Sequence, residues 1–462
     1  MMSFASNARR TSLTAFALLA LTLAGCQSLD APSFNDPSVE NLTSAPDRAA
    51  IAGAAIGLVQ SERGNWEGGF IAGLGVFGRE AYNLRPEEPR TITNALVGPL
   101  LSTYHNFWDA PYALIRNGFT LVHAADAATT LSSAEQAATK GFAQTFMAQA
   151  YWEAITMHDP LAMPIDVDRD PAGDLAPLVA SADSYQHVLD LLDDAAQNLQ
   201  SGGSSFPFTL PPGFSGFDTP ATFLAVNRAI KARVLKYLGR WSDVMTVLPQ
   251  TFMDPSADFQ MGLYFDYTTQ SGDAVNPLAQ ARGSNYFAHP RLWRDAQLRS
   301  DGSRDLRAQR DLTSVSPYTL DNITVTEEFN NYIGLSDPVP FVTNVELLLI
   351  KVEAEYGLGM TSQAIQDLNV VRTQDGGLDP IPDPYSGDLL KEILYEKRYS
   401  LMFKGGFTYL DARQYGRTAD NPDELPRARS FDKVFLRYPY TDDECDARGM
   451  NSDPGCQPVP GS

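Results

Sequence analysis

Histidine, cysteine and basic residues are all scarce in this chain of 462 residues. The 5 histidines show no H-E-x-x-H or other paired spacing, so they give no support for a histidine-ligated metal. Of the 3 cysteines, the last two have no histidine or third cysteine nearby, which argues against zinc. Lys and Arg number 35 against 56 Asp and Glu, and the formal net charge is −21. A surface this acidic repels phosphate backbones and excludes nucleic acid as a partner.

Recognisable catalytic motifs are also missing. The sequence has no G-x-S-x-G elbow, and with 56 acidic residues no carboxylate pair can be singled out as catalytic. Gly73, Gly75 and Gly78 match G-x-G-x-x-G, but no acid follows at the distance that a dinucleotide site requires. We interpret this stretch as a flexible glycine-rich loop. The sequence therefore predicts no cofactor, no metal and no enzymatic activity.

Long apolar runs are absent after residue 26, where nothing approaches the roughly 20 residues that span a membrane. One short apolar run follows Arg9 and Arg10 and ends at Leu23-Ala24-Gly25-Cys26. These residues resemble a bacterial lipobox, which implies that residues 1–25 are a signal peptide and that Cys26 carries lipid. The alternative is an ordinary secretory signal with Cys26 present by chance. Residues 26–45, rich in Pro, Ser, Asn and Asp, are predicted to form a lipid-anchored tether.

Helical periodicity dominates the rest of the chain and predicts a mainly α fold. We expect tetratricopeptide-like helix pairs that form a scaffold, with long irregular loops and a few short strands such as NITVTEEF. A long helix should begin at a capping box of Ser133 and Gln136 and end near His158. Two further helix pairs should be broken at Gly239 and at Gly357–Gly359, the second pair resuming with Thr361 or Ser362 as cap. A last helix should run from Asp388 to Gly405 and Gly406.

The C-terminal residues 441–462 form a polar tail that holds Cys445 and Cys456. In an exported protein, an isolated pair of cysteines favours a disulfide over two free thiols. We therefore predict a bond that encloses a short loop.

Five segments in order resemble the SusD/RagB family of outer-membrane nutrient-binding lipoproteins. They are the anchor and tether, YHNFWDAPYALIRNGFTLV, FMAQAYWEAITMHDPLAMPI, VELLLIKVEAEYGLGMTSQAIQDLNVVRTQDGG and ILYEKRYSLMFKGGFTYLDARQYGR. Lys397 stands where that family usually has a second arginine. The resemblance implies that residues 46–440 form a single SusD-like helical domain with inserted ligand-binding loops. Glu396 and Arg398 are expected to tie the last helix to its neighbours.

Aromatic residues in the predicted loops are the candidates for ligand binding, because sugars offer apolar faces to exposed rings. We expect one shallow site built from residues 64–90 and 260–295. The alternative for each ring is that it packs under its own loop, and Trp108 and Tyr112 are assigned to the core. The candidate ligand-binding residues are Trp66, Arg79, Tyr82, Asn83, Tyr264, Tyr267, Tyr286 and Trp293.

The function that the resemblance implies is a cell-surface lipoprotein, anchored in the bacterial outer membrane, that binds a nutrient without chemical change. It would deliver the nutrient, an oligosaccharide by family default, to a SusC-like TonB-dependent transporter. Peptide and other polymers remain open as ligands. Two alternatives are a helical-repeat scaffold lipoprotein for outer-membrane assembly and a glycoside hydrolase. The long aromatic loops argue against the scaffold, and a hydrolase would need a cluster of carboxylates in one pocket.

Overall fold

The computed structural model describes residues 42, 44, 46–87, 96, 107–170, 172–280, 286–418 and 425–457. The predicted signal peptide, the lipidation site Cys26 and nearly all of the tether 26–45 lie outside these residues. Within the described part of the chain, no helix has the length and apolar character needed to cross a membrane.

The described chain is mainly helical, as predicted. We number the α-helices in chain order: α1 Arg48–Asn65, α2 Leu74–Phe77, α3 Asp109–Ala127, α4 Ser133–His158, α5 Ser181–Gln200, α6 Pro220–Tyr237, α7 Trp241–Val247, α8 Arg291–Arg294, α9 Leu306–Asp311, α10 Asn344–Gly357, α11 Thr361–Gln374, α12 Leu389–Ser400, α13 Phe407–Gln414 and α14 Asp442–Arg448. A π-helix spans Trp66–Gly73, and 3₁₀ turns span Pro212–Phe214, Leu248–Gln250 and Pro454–Cys456.

In the described residues, eight short strands form three small antiparallel sheets. They are β1 Ala81–Asn83, β2 Met163–Pro164, β3 Leu178–Val179, β4 Gly262–Phe265, β5 Tyr286–Ala288, β6 Leu312–Leu320, β7 Ile323–Phe329 and β8 Val339–Thr343. The largest sheet has the order β1-β5-β7-β6, and β2 pairs with β3 and β4 with β8. The predicted strand NITVTEEF is β7, whose alternating burial pattern places one face of the strand inside.

Helix α4 forms the centre of the core and packs against α3, α5 and α6. It is buried on nearly every side from Ala138 onward and ends at His158, as predicted. The capping box is one residue earlier than expected. Ser132, not Ser133, accepts from the Glu135 backbone N–H, and the Glu135 carboxylate, not Gln136, accepts from the Ser132 backbone N–H at 2.9 Å. A carboxylate at this position also favours the positive end of the helix dipole.

The two helix pairs expected from the sequence are present as α6–α7 and α10–α11. Gly239 and Gly359 adopt φ values of +67° and +75° between the paired helices, a conformation that favours glycine. The predicted cap on α11 is wrong, because Met360 occupies the N-cap position and makes no side-chain cap bond. Asp388 caps α12 as predicted, but α12 ends at Ser400 and not at the glycine pair. The chain turns there, with Phe403 at φ +54° and its ring 4.2 Å from that of Phe329.

The glycine-rich stretch predicted to be a loop is helical and buried. The π-helix Trp66–Gly73 leads directly into α2. A Cβ atom on Gly75 would lie 2.8 Å from the Phe403 ring, and one on Gly78 would lie 3.1 Å from the Tyr409 backbone nitrogen. These glycines therefore permit close packing against a distant part of the chain. The prediction of a flexible loop used only the local glycine content and could not include these contacts.

Candidate functional site

The two regions predicted to share a site do meet in the fold. Strand β1 pairs with β5, and the register places Asn83 opposite Tyr286 and Tyr82 opposite Phe287. The pairing joins residues 64–90 to residues 260–295 through backbone hydrogen bonds. Most of the predicted ligand-binding side chains are nevertheless inside the protein.

Trp66 was expected to be a surface ring, and its burial contradicts this expectation. The indole is 0% exposed, its Nε1 donates to the Pro340 carbonyl at 2.8 Å, and its ring stacks 5.2 Å from Phe70. The Arg233 guanidinium lies over its face at 4.9 Å. Both the polar atom and the ring face are therefore occupied by the core.

Four more predicted residues are buried by contacts within the fold, which again contradicts the expected surface position. Arg79 is 1% exposed and donates to the Lys433 carbonyl at 2.8 Å. The Tyr82 ring lies 4.8 Å from His289, and burial raises the pKa of Tyr82 to about 12. Asn83 is buried in strand β1. Tyr267 is 4% exposed, with the guanidinium of Arg63 over its ring at 4.6 Å.

The remaining three predicted residues are half-buried. Tyr264 donates its hydroxyl to the Gln260 carbonyl at 2.5 Å, Tyr286 packs 5.9 Å from Phe403, and Trp293 lies 5.4 Å from the Arg304 guanidinium. Part of each side chain is accessible. Their role as ligand contacts stays a prediction.

A groove of about 300 Å³ lies elsewhere, between the start of α3, the loop 164–170 and 172–176, and helix α14. Its volume is at the lower end of the range for small-molecule sites. The lining residues are Trp108, Tyr112, Arg116, Pro164, Val167, Arg169, Asp170, Gly173, Asp174, Leu175, Ala176, Glu444 and Arg448. We call it the Trp108 groove.

Two aromatic rings form the apolar side of the Trp108 groove. The rings of Trp108 and Tyr112 are 5.1 Å apart at 50°, one turn from each other at the start of α3. The Tyr112 hydroxyl donates to the Pro164 carbonyl at 2.9 Å, and burial raises the pKa of Tyr112 well above its ordinary value. Behind them, the edges of His158 and Tyr440 meet the indole of Trp108 at 5.2 and 5.7 Å. Tyr112 stays half-buried, so part of this ring pair faces the groove.

Three arginines line the same groove, and backbone carbonyls hold each in place. Arg116 donates to the carbonyls of Val167 and Arg169 at 2.9 and 3.2 Å. Arg169 donates to the carbonyls of Asp174 and Leu175 at 3.4 and 3.3 Å. Arg448 donates to the Ala176 carbonyl at 2.8 Å. Each guanidinium has five N–H groups, so donors remain for a ligand.

The C-terminal segment supplies one wall of the Trp108 groove. Helix α14 carries Glu444 and Arg448 into the lining, and Cys445 of the same helix is joined to Cys456 by a disulfide with a Cα–Cα distance of 6.1 Å. Just before α14, Tyr440 donates its hydroxyl to the Ala162 carbonyl at 2.7 Å. The predicted disulfide is confirmed, and both Cys445 and Cys456 of the polar tail are buried against the domain.

The groove offers rings, guanidiniums and carboxylates around a small volume, which is the composition of a binding site for a polar ligand with apolar faces. No group of His, Cys, Asp and Glu residues that could hold a metal occurs in the part of the chain that the structure describes. Trp108 and Tyr112, predicted from their spacing to be core residues, both pack on the core. The signal that was missed is Arg116, four residues after Tyr112, whose guanidinium therefore lies on the same helix face as the two rings.

Comparison with solved structures places the fold among the SusD-like proteins. A SusD superfamily protein from Bacteroides vulgatus matches with a TM-score of 0.66 at 14% identity, covering 87% of this chain and 97% of that one. Surface glycan-binding protein A from Bacteroides uniformis gives 0.63 at 15% identity, covering 89% and 99%. A laminarin-binding SusD-like protein gives 0.62 at 15% identity, covering 86% and 97%. At these identities the likeness is one of fold.

No protein-family model matches the sequence. No curated protein sequence matches it either. The predicted SusD-like helical architecture is therefore confirmed through the structure alone.

Proposed function

We propose that this protein is a non-enzymatic glycan receptor whose ligand binds in the Trp108 groove. The observation that carries the proposal is the ring pair of Trp108 and Tyr112, which borders a groove whose arginines are fixed by backbone carbonyls. Sugars stack their C–H faces on rings and exchange hydrogen bonds with such donors. The glycan-binding and laminarin-binding proteins that share the fold support the same class of ligand.

The cellular setting that we propose follows from the lipobox-like residues and the SusD-like fold. Lipid on Cys26 would anchor the receptor at the outer-membrane surface, through a tether formed by residues 26–45. The receptor would hand its ligand to a SusC-like TonB-dependent transporter. A membrane anchor near such a transporter raises the effective concentration of ligand at its entrance.

Binding to a panel of soluble oligosaccharides, measured by calorimetry, tests the proposal. The Tyr112→Ala variant should lose affinity by roughly 1–3 kcal/mol, because it removes half of the ring pair. Tyr356→Ala is a matched control, since Tyr356 lies on α10 and does not line the groove. Equal loss in both variants, or no binding of any glycan by the wild type, contradicts the proposal. Release of reducing ends from the same oligosaccharides would instead support the hydrolase alternative.

A second candidate position is the surface near Tyr264, Tyr286 and Trp293. The half-buried state of the three side chains favours it, and the pairing of β1 with β5 brings Tyr286 next to the strand that holds Tyr82 and Asn83. This position would bind the same class of ligand as the Trp108 groove, but different rings would contact the glycan. Substitutions in each place distinguish the two.

A further inference from the structure

Arg116 differs from the other two arginines of the Trp108 groove in its charge balance. Arg169 forms an ion pair with Asp166 at 3.2 Å, and Arg448 forms one with Glu444. Within the described part of the chain, the Arg116 guanidinium donates hydrogen bonds only to the carbonyls of Val167 and Arg169, and no carboxylate lies within ion-pair distance of it. Among the described residues, the positive charge of Arg116 therefore has no ion-pair partner, although the chain as a whole has a net charge of −21.

The carboxylates that line the groove do not pair with Arg116. Glu444 is paired with Arg448. Asp170 accepts from the backbone N–H of Ala172 at 3.0 Å, within its own turn. Asp174 lies on the exposed loop that Arg169 holds through the Asp174 backbone carbonyl. None of the three is bound to Arg116, so the Arg116 guanidinium keeps its ability to attract an anion.

Arg116 lies on the same face of α3 as the rings of Trp108 and Tyr112. Trp108, Tyr112 and Arg116 follow at intervals of four residues, and a helix rises 1.5 Å per residue. The three side chains thus succeed one another along one helix face at steps of about 6 Å. A sugar ring stacked at Tyr112 would present its neighbouring substituent to the guanidinium. The planar fork of arginine matches a carboxylate with two parallel hydrogen bonds.

We infer that the Trp108 groove selects an acidic glycan, with a uronic-acid carboxylate bound by Arg116 next to a ring stacked on Tyr112. This inference rests on the proposed function and specifies its ligand class. Arg116 is then the residue that determines specificity, while the ring pair supplies affinity that acidic and neutral sugars share. Screening by salt weakens the attraction between the carboxylate and the exposed guanidinium.

The test is calorimetric binding of oligogalacturonides and of neutral galacto-oligosaccharides of the same length. The wild type should prefer the acidic series by about tenfold at low ionic strength, a difference of about 1.4 kcal/mol. The preference should shrink at high salt. In Arg116→Gln the ratio of the two affinities should fall to about one, and Arg116→Lys should keep part of it because the charge remains.

The control is Arg240→Gln, which removes an exposed arginine that pairs with Asp243 outside the groove and should leave the ratio unchanged. Equal wild-type affinity for both series, or a preference that survives Arg116→Gln, overturns the inference while leaving glycan binding intact. Failure of both series to bind counts against the proposed function itself. Circular dichroism of each variant separates lost binding from lost folding.

Discussion

The ammonium of Lys397 lies 2.8 Å from the carboxylate of Asp411, deep in the protein. Lys236 and Glu353 complete the cluster, with Lys397 2.5 Å and Lys236 3.0 Å from Glu353. Two positive and two negative groups thus balance one another where α6, α10, α12 and α13 meet. Lys397 stands where an arginine was expected. Its compact ammonium forms ion pairs with both carboxylates of the cluster, Glu353 and Asp411.

Asp411→Asn should strongly destabilise the fold. It leaves two ammonium groups with one carboxylate in a buried site, and breaking a buried ion pair costs roughly 3–5 kcal/mol. Urea denaturation measures the free energy of unfolding. The matched control is Asp126→Asn, whose exposed pair with Lys140 should contribute less than about 1 kcal/mol. Similar losses for the two variants would show that the buried cluster is not a special source of stability.

The contribution of two buried carboxyls, Glu62 on α1 and Glu153 on α4, to stability should fall as the pH rises from about 4.5 to about 7. Burial raises the pKa of Glu153 to about 7, and burial together with the nearby Glu153 raises the pKa of Glu62 well above its ordinary value. The folded state therefore holds these protons more tightly than the unfolded chain, and the advantage is lost as the groups ionise. Thermal unfolding across this pH range measures the effect.

Glu62→Gln gives the matched comparison for the pH effect. The neutral amide cannot ionise, so the variant should show a smaller loss of stability between about pH 4.5 and pH 7 than the wild type. A variant whose unfolding temperature changes with pH as steeply as that of the wild type would rule out Glu62 as a source of the dependence.

The disulfide should matter more for the Trp108 groove than for the core. Cys445 is on α14, the wall that carries Glu444 and Arg448, and the bond closes a loop with a sequence separation of only 11 residues. In Cys445→Ser/Cys456→Ser, helix α14 should lose its restraint, so that glycan affinity falls while the thermal unfolding of the helical core changes little. An unchanged affinity in the double variant would show that the wall holds without the bond.

Membrane attachment should depend on Cys26. Cys26→Ser removes the thiol that a lipobox lipid would occupy, and among the described residues no helix can cross a membrane. The variant should appear in the soluble fraction of a cell lysate, whereas the wild type should sediment with outer membranes. Variant protein that remains with the membranes after a high-salt wash would contradict lipid anchoring as the only tie.

The helices were predictable because their signals are local. The Asp388 cap, the end of α4 at His158 and the glycine breaks at 239 and 359 each depend on a few neighbouring residues. The buried helical conformation around Gly75 and Gly78 was not predictable, since these glycines pack against Phe403 and Tyr409, more than three hundred residues away. The Trp108 groove could not be predicted for the same reason, because its walls come from residues 108–116, 164–170, 172–176 and 444–448, which are far apart in the sequence. Only folding brings these segments together.

The two candidate positions for the ligand can be separated by removing one ring from each. Tyr112 lines the Trp108 groove beside Trp108, whereas Trp293 lies near Arg304 at the position predicted from the sequence. Tyr112→Ala should reduce glycan affinity by roughly 1–3 kcal/mol, and Trp293→Ala should leave it unchanged. Both side chains are half-buried, so thermal unfolding of each variant must be compared with the loss of binding. The hydroxyl can be isolated with Tyr112→Phe, which keeps the ring but removes the bond to Pro164 and should retain most of the affinity. A loss confined to Trp293→Ala would move the site to the β5 region, because stacking would then depend on the ring outside the groove.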